Sequence, residues 1–352
     1  MRKIKIIALG FLSIFLINCS SENTTDQPEE IAKDWTPLNF IDNISNVNNM
    51  CSDGKNIYVG TKTNGVYSST NNGDTWTQIN NGIESPKKCR VYYLDGQLYL
   101  TTFDDFYKSS DGGKSWTKIW KSLKEVTSGS SPISICINRS SIAIGYISSI
   151  YLSMDNGNTW SRSRQPSWSP SFDDTYYPNL VKDVGSLDFN DGSEQIVTDG
   201  TSFFSLDTQS GNLYKSKGST FEKLENTKLG VGGQNCITSV GTKIFYGSMT
   251  DGSSTLKRAY VSIDGSNSWS PFEQGLNNIS FGVTNFTTYG TDIYGCYAFS
   301  VFVSNSNSSN WVQIGNDLYD KDSDYNISEV IKNEGYVFAK KTNGQLYKIE
   351  YK

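Results

Sequence analysis

Ser109-Ser110-Asp111-Gly112-Gly113-Lys114-Ser115-Trp116 and Ser153-Met154-Asp155-Asn156-Gly157-Asn158-Thr159-Trp160 share one pattern, S-x-D-x-G-x-[S/T]-W. Further copies lie on either side. Residues 69–76 (STNNGDTW) carry Asn71 at the Asp position and end on Trp76, and residues 262–269 (SIDGSNSW) keep Asp264 and Trp269 but have Ser266 at the Gly position. Residues 304–311 (SNSNSSNW) are more decayed, and a shortened copy, KSKGSTF, ends at Phe221. The residue types describe a hairpin turn. A short Asp or Asn side chain accepts backbone N–H groups inside the turn, Gly supplies a positive φ, and the closing aromatic packs where the next strand begins. Asn71, Trp76, Asp111, Trp116, Asp155, Trp160, Asp264 and Trp269 are therefore read as structural residues.

Ahead of each turn lies a recurrent pair of apolar segments: 56–60 then 65–68, 97–100 then 106–109, and 142–145 then 150–153. With the strand after the turn and the apolar run before the pair, each unit makes a four-stranded antiparallel sheet, which is a propeller blade. The octapeptides resemble the Asp-box, or bacterial neuraminidase repeat, of sialidases, sortilin-type receptors, xyloglucan-cleaving enzymes and the photosystem II assembly factor family. That resemblance implies an all-β β-propeller.

The closing aromatics Trp76, Trp116, Trp160, Phe221, Trp269 and Trp311 are 40, 44, 61, 48 and 42 residues apart. They close six blades. After Trp311 the segments 327–331, 335–339 and 345–349 supply three more strands before the chain stops, and Asp34-Trp35-Thr36-Pro37-Leu38 reads like the strands that follow the other turns. The expectation is seven blades over residues 34–352, closed into a ring by the N-terminal strand. A six-bladed ring with a decorated fourth blade is the alternative, because the 61-residue interval has room for an extra element.

The N-terminus has a different character. Residues 1–5 carry three cations, residues 6–17 form an apolar run, and Cys19 follows Leu16-Ile17-Asn18. Twelve apolar residues are too few to span a bilayer as a helix. This is the layout of a signal peptide, and it resembles a bacterial lipoprotein signal over residues 1–18 with Cys19 as the lipidated residue. Residues 19–33 are polar and acidic and read as a flexible tether. The implied location is the outer membrane, with acidic residues after Cys19 pointing to the cell surface.

Composition narrows function. The 352 residues contain no His, which removes Ser-His-Asp, Cys-His and His-zinc chemistry. Net charge is −5, and loss of Arg2, Lys3 and Lys5 with the signal would make it more acidic. Nucleic acid is not an expected partner. The five cysteines beyond Cys19 leave at least one free thiol. Cys51, Cys89, Cys136 and Cys236 precede the second strands of their blades by similar distances, which places them on inner strands as small buried side chains.

The residues that packing does not absorb gather in RSRQPSWSPSFDDTYYPN, residues 162–179, between blades 3 and 4. Arg162, Arg164, Trp168, Phe172, Asp173, Asp174, Tyr176 and Tyr177 mix rings, carboxylates and guanidiniums, a set suited to a sugar or a protein partner. Asp104 and Asp105 of blade 2 are expected on the same face, opposite the Asp-box turns. If one carboxylate of each pair converged, glycoside hydrolysis would have its acid and base. The sialidase resemblance would also require an Arg-Ile-Pro segment and a triad of Arg, and no Arg-Ile-Pro occurs. Asp320, Asp322 and Asp324 have calcium-loop spacing, but Tyr325 and Ile331 stand where Gly and Glu belong. The expectation is therefore a monomeric propeller without a required cofactor, binding a glycan or protein partner through one loop face. A sialidase-like hydrolase and an assembly-factor propeller are the alternatives.

Overall fold

The computed structural model describes residues 34–40, 46–103, 105–120, 134–145, 149–164, 181–186, 194–207, 211–225, 229, 235–248, 257–276, 282–308, 310–319 and 325–352. For Trp120, Arg164, Glu194 and residues 181–186 only the backbone is described. No α-helix occurs among the described residues. The strands form seven sheets, six of four strands and one of five.

Each sheet is one blade, with its strands named here inner, second, third and outer. The inner strands are Val47–Ser52, Arg90–Leu94, Ser134–Asn138, Glu194–Thr198, Cys236–Val240, Asn285–Tyr289 and Ile327–Asn333, for blades 1 to 7. Each abuts the inner strand of the next blade, and blade 7 abuts blade 1. This closes a seven-bladed β-propeller.

Burial follows position in the blade. The second strand of blade 1, Ile57–Thr61, is buried throughout, as is that of blade 4, Phe203–Asp207. Both faces of such a strand meet a neighbouring blade, so the sequence reads as a continuous apolar run. The outer strands Thr77–Gln78, Ser270–Pro271 and Val312–Gln313 are exposed and only two residues long. Short polar edges of this kind resist pairing with other chains. Every seam between blades holds its own apolar cluster. In the seam of blades 1 and 2, for example, Tyr58 and Val66 pack on Val91, Leu100, Tyr107 and Trp116.

The ring is closed as the sequence indicates. Thr36–Pro37 pairs antiparallel with the third strand of blade 7, Leu346–Glu350, and so becomes its outer strand. Trp35 donates its indole N–H to the Asn316 carbonyl of blade 6 at 3.0 Å, while Phe40 packs edge-on against Tyr67 and Trp76 of blade 1. One short segment thus ties three blades.

Blade 3 departs from expectation. Its outer strand is Trp160–Arg164, so Arg162 and Arg164 belong to the sheet and not to the loop that follows. A fifth strand, Val181–Ser186, pairs parallel with it, with a register shift between Arg162 and Ser163. The 61-residue interval therefore holds an added strand within a seven-bladed ring. Because that outer strand is not an edge, Ser161, Arg162 and Ser163 are buried, and Ser161 donates to the Ser219 carbonyl of blade 4 at 2.7 Å. Polar residues fill this covered position, which hides the strand from a reading based on hydrophobic alternation.

Candidate functional site

Antiparallel blades sort their connections onto two faces. The inner–second turns and the Asp-box hairpins lie on one; the second–third corners and the blade-to-blade connectors lie on the other. The second will be called the connector face.

The Asp-box face is built for rigidity. Asp111 accepts the Ser115 N–H at 3.0 Å and the Ser115 hydroxyl at 2.6 Å, and it also accepts the Ser109 hydroxyl at 2.7 Å. Ser109 Oγ in turn accepts the Gly113 N–H at 2.9 Å. Asp155 repeats the arrangement with Thr159, Ser153 and Gly157, and Asp264 repeats it with Ser268, Ser262 and Ser266. Asn71 accepts the Thr75 N–H and donates to the Thr75 hydroxyl. The hydrogen bonds from the Ser115 side chain and backbone hold the Asp111 carboxyl down at about 2, and those from Ser268 do the same for Asp264. These carboxylates are occupied within their own turns.

The closing Trp does more than begin the next strand. Trp116 donates its indole N–H to the Ile79 carbonyl of blade 1 at 2.7 Å, and Trp311 donates to the Phe272 carbonyl of blade 5 at 2.8 Å. Each Trp backbone lies over Gly82 or Gly275, both at φ +91°, where a Cβ would run into the Trp carbonyl. Trp116 and Trp311 are thus rivets between blades, whereas the Trp160 indole N–H returns to the Gly157 carbonyl of its own turn at 3.0 Å.

On the connector face, the candidate carboxylate Asp105 is committed to the fold. It is buried, pairs with Lys118 Nζ at 3.1 Å and accepts the Tyr107 hydroxyl at 3.1 Å. Lys118 also pairs with Glu84 at 2.6 Å. Burial pulls the Lys118 ammonium down, but Glu84 and Asp105 more than reverse this and hold it above its ordinary value. Arg162 is buried in blade 3. Asp104, Trp168, Phe172, Asp173, Asp174, Tyr176 and Tyr177 lie outside the described residues, as do Cys19 and Asp320, Asp322 and Asp324. Among the described residues no group of three or more His, Cys, Asp or Glu side chains could hold a metal.

Two features of this face are not apparent from sequence. Phe299, at the second–third corner of blade 6, meets Tyr319 edge-on at 5.2 Å, and Tyr319 and Tyr325 are 60% and 48% exposed. Beside them Asp317 accepts from Ser300 and Gln313 at 2.7 and 2.8 Å. The second is Glu329 on the inner strand of blade 7. Burial raises its carboxyl above the usual range, against the pull of Lys340, Arg90 and the Met50 N–H. Its charged neighbours are cations, not a second carboxylate poised for acid–base work. Residues 296–300 (CYAFS) hint at the first feature; the second combines residues from blades 1, 2 and 7 that have no common motif.

The five cysteines are free. Cys51, Cys136 and Cys236 lie on inner strands, Cys89 immediately precedes one, and Cys296 is on the second strand of blade 6. Burial pushes the thiols of Cys89, Cys136 and Cys296 up to about 12.

No family model matches the sequence, and no curated protein matches it. Solved structures do. YCF48 bound to D1 peptide is similar over 90% of this chain and 96% of that one, with TM-score 0.57 and 13% identity. A virginiamycin B lyase from Staphylococcus aureus solved with quinupristin covers 91% and 99%, with TM-score 0.60 and 10% identity. The extracellular domain of a hybrid two-component system from B. thetaiotaomicron covers 90% of this chain and 40% of that one, with TM-score 0.57 and 10% identity. At such identities the likeness is one of fold.

Proposed function

We propose that this chain is a non-catalytic binding propeller, exported and anchored as a lipoprotein through Cys19, which holds a protein partner against its connector face. The observation that carries this reading is the commitment of Asp105: the one described carboxylate of the two candidate pairs is ion-paired with Lys118 and hydrogen-bonded to Tyr107. With that carboxylate held in the fold, recognition is the role we infer for the face. The Asp-box face, by contrast, spends its polar groups inside its own hairpins. A protein partner fits the neighbour YCF48, whose structure contains a D1 peptide. The exposed Tyr319 and Tyr325 beside Asp317 support a glycan as a second ligand class, since sugar rings stack on aromatic faces and bond to carboxylates.

The test is capture of partners by the full chain from the membranes and medium of cells that produce it, with a parallel assay for reducing-end release from mixed glycans. The expected result is a captured protein whose binding is weakened by Trp168→Ala or Tyr319→Ala, with no glycan cleaved. Cleavage that Asp105→Asn abolishes while the variant stays folded would overturn it.

A further inference from the structure

The inner–second turns share a face with the Asp boxes but gather nearer the axis of the ring. In blades 2, 3, 5, 6 and 7 the register puts Leu94, Asn138, Val240, Tyr289 and Asn333 at one equivalent position, immediately ahead of the turn. The other four are partly or wholly buried, whereas Tyr289 is 41% exposed. A single exposed ring needs no explanation. The setting of this one does.

Tyr289 leaves blade 6, passes Lys332 of blade 7 and ends against Gly54 of blade 1. The Lys332 ammonium lies over its ring, 5.9 Å from the centroid, and the ring's Cε2 and Oη come within 3.4 and 3.5 Å of where a Gly54 Cβ would stand. The ground beneath is fixed. Lys332 is buried and donates to the Asn333 and Tyr351 carbonyls at 2.8 and 2.7 Å. Asn333, also buried, accepts from Ser52 Oγ at 2.7 Å and donates to the Lys55 carbonyl at 3.0 Å and to Asn72 Oδ1 at 2.8 Å. The Glu334 N–H donates to the Gly54 carbonyl at 2.9 Å.

Around the ring there is open space. A Cβ added at Gly290 or Gly335, in the turns of blades 6 and 7, would meet nothing within 4 Å. At the rim stand the exposed Lys55 ammonium and Glu334 carboxylate, neither of them in an ion pair or side-chain hydrogen bond among the described residues. Asp292, directly across the hairpin from Tyr289, accepts from Asn305 Nδ2 at 2.7 Å through Oδ1 and keeps Oδ2 in reserve. Burial depresses the Lys332 ammonium and both Asp292 and Glu334 oppose this, so the two carboxylates lie close to the cation under the ring. Lys55 and Lys332 balance Asp292 and Glu334 in charge.

We propose that Tyr289, with Lys55, Glu334 and Asp292, forms a binding site for a neutral saccharide. The C–H face of a sugar ring is apolar and stacks on an aromatic side chain, while its hydroxyls both donate and accept. Here Lys55 supplies donors and the carboxylates supply acceptors. The even charge favours a neutral sugar over an acidic one, and the bare glycine turns leave room for a sugar chain to cross the platform. This site lies apart from the connector face and is independent of the protein-binding reading.

Calorimetric titration of the full chain with cello-, laminari-, malto-, manno- and xylohexaose tests this, with circular dichroism to check that each variant folds. At least one hexaose is expected to bind. Tyr289→Ala should weaken it about tenfold or more, Tyr289→Trp should retain it, and Glu334→Gln and Lys55→Met should each weaken it less. Tyr319→Ala, on the connector face, should leave it unchanged. If Tyr289→Ala does not fold, the exposed Glu334→Gln and Lys55→Met variants decide, and unaltered affinity in both would overturn the inference. Binding of no hexaose, or binding that survives Tyr289→Ala or is lost in Tyr319→Ala, would also overturn it, and partner capture on the connector face would be untouched by any of these results.

Discussion

At the scale of the residue, the Asp-box carboxylates are a structural device with a pH signature. Asp111 and Asp264 fall from the ordinary 3.8 to about 2 because hydrogen bonds in the hairpin favour the charged form. Their contribution to stability is therefore present above the unfolded value and lost as pH falls through about 2. Acid titration monitored by circular dichroism should show a shallower loss over this window for Asp111→Asn than for the parent chain. Asn71 already fills the same turn in blade 1, so the substitution should keep the fold. Asp105 differs because it is buried against Lys118. Asp105→Asn should cost roughly 3 kcal/mol in chemical denaturation, the price of a broken buried pair. The thiols supply a third check: burial holds Cys89, Cys136 and Cys296 near 12, so a thiol reagent at neutral pH should react slowly with these three in the native chain and fully after denaturation. The Asp boxes are legible in the sequence because a turn fixes its residue types within eight positions. The partner of Asp105 is not, because Lys118 meets it only through the pairing of two strands.

At the scale of the element, the joints between blades matter most. Trp116 is buried and bonded to the preceding blade, so Trp116→Ala should cost about 3–5 kcal/mol. Gly82→Ala, which leaves the Trp in place but blocks its seat, should destabilise more than Gly96→Ala, which at φ +74° with nothing within 4 Å of a Cβ should cost only the roughly 1–2 kcal/mol of a left-handed alanine. Denaturant titration of the three variants separates the rivet from ordinary turn strain. The closing strand pairs Thr36 and Pro37 with blade 7 and adds the Leu38 N–H to the Leu346 carbonyl at 2.9 Å, while Trp35 ties it to blade 6. Trp35→Ala should loosen it, and hydrogen exchange should then rise first in Leu346–Glu350. The closure is legible because residues 34–38 repeat the motif of the other outer strands. The added strand Val181–Ser186 is not, because it pairs with a polar outer strand that alternation alone cannot recognise.

At the scale of the whole molecule, the two faces have different work. One commits its polar side chains to the repeated Asp-box turns, and the repetition makes the fold readable from the sequence. The other is assembled from corners that repeat nothing: Glu329 of blade 7 meets the Met50 N–H of blade 1 and the charge of Arg90 of blade 2 only because the ring brings blade 7 back beside blades 1 and 2. A site made by ring closure leaves no local spacing to detect. The most direct test is lysine cross-linking in cells that produce the chain, followed by mass spectrometric assignment of the linked residues. Links from Lys62, Lys87 or Lys88 on the connector face to a protein partner are expected, with Lys55, Lys114 and Lys217 unlinked to that partner. Links to the same partner concentrated on Lys55, Lys114 and Lys217 would place binding on the Asp-box face and contradict the connector-face reading.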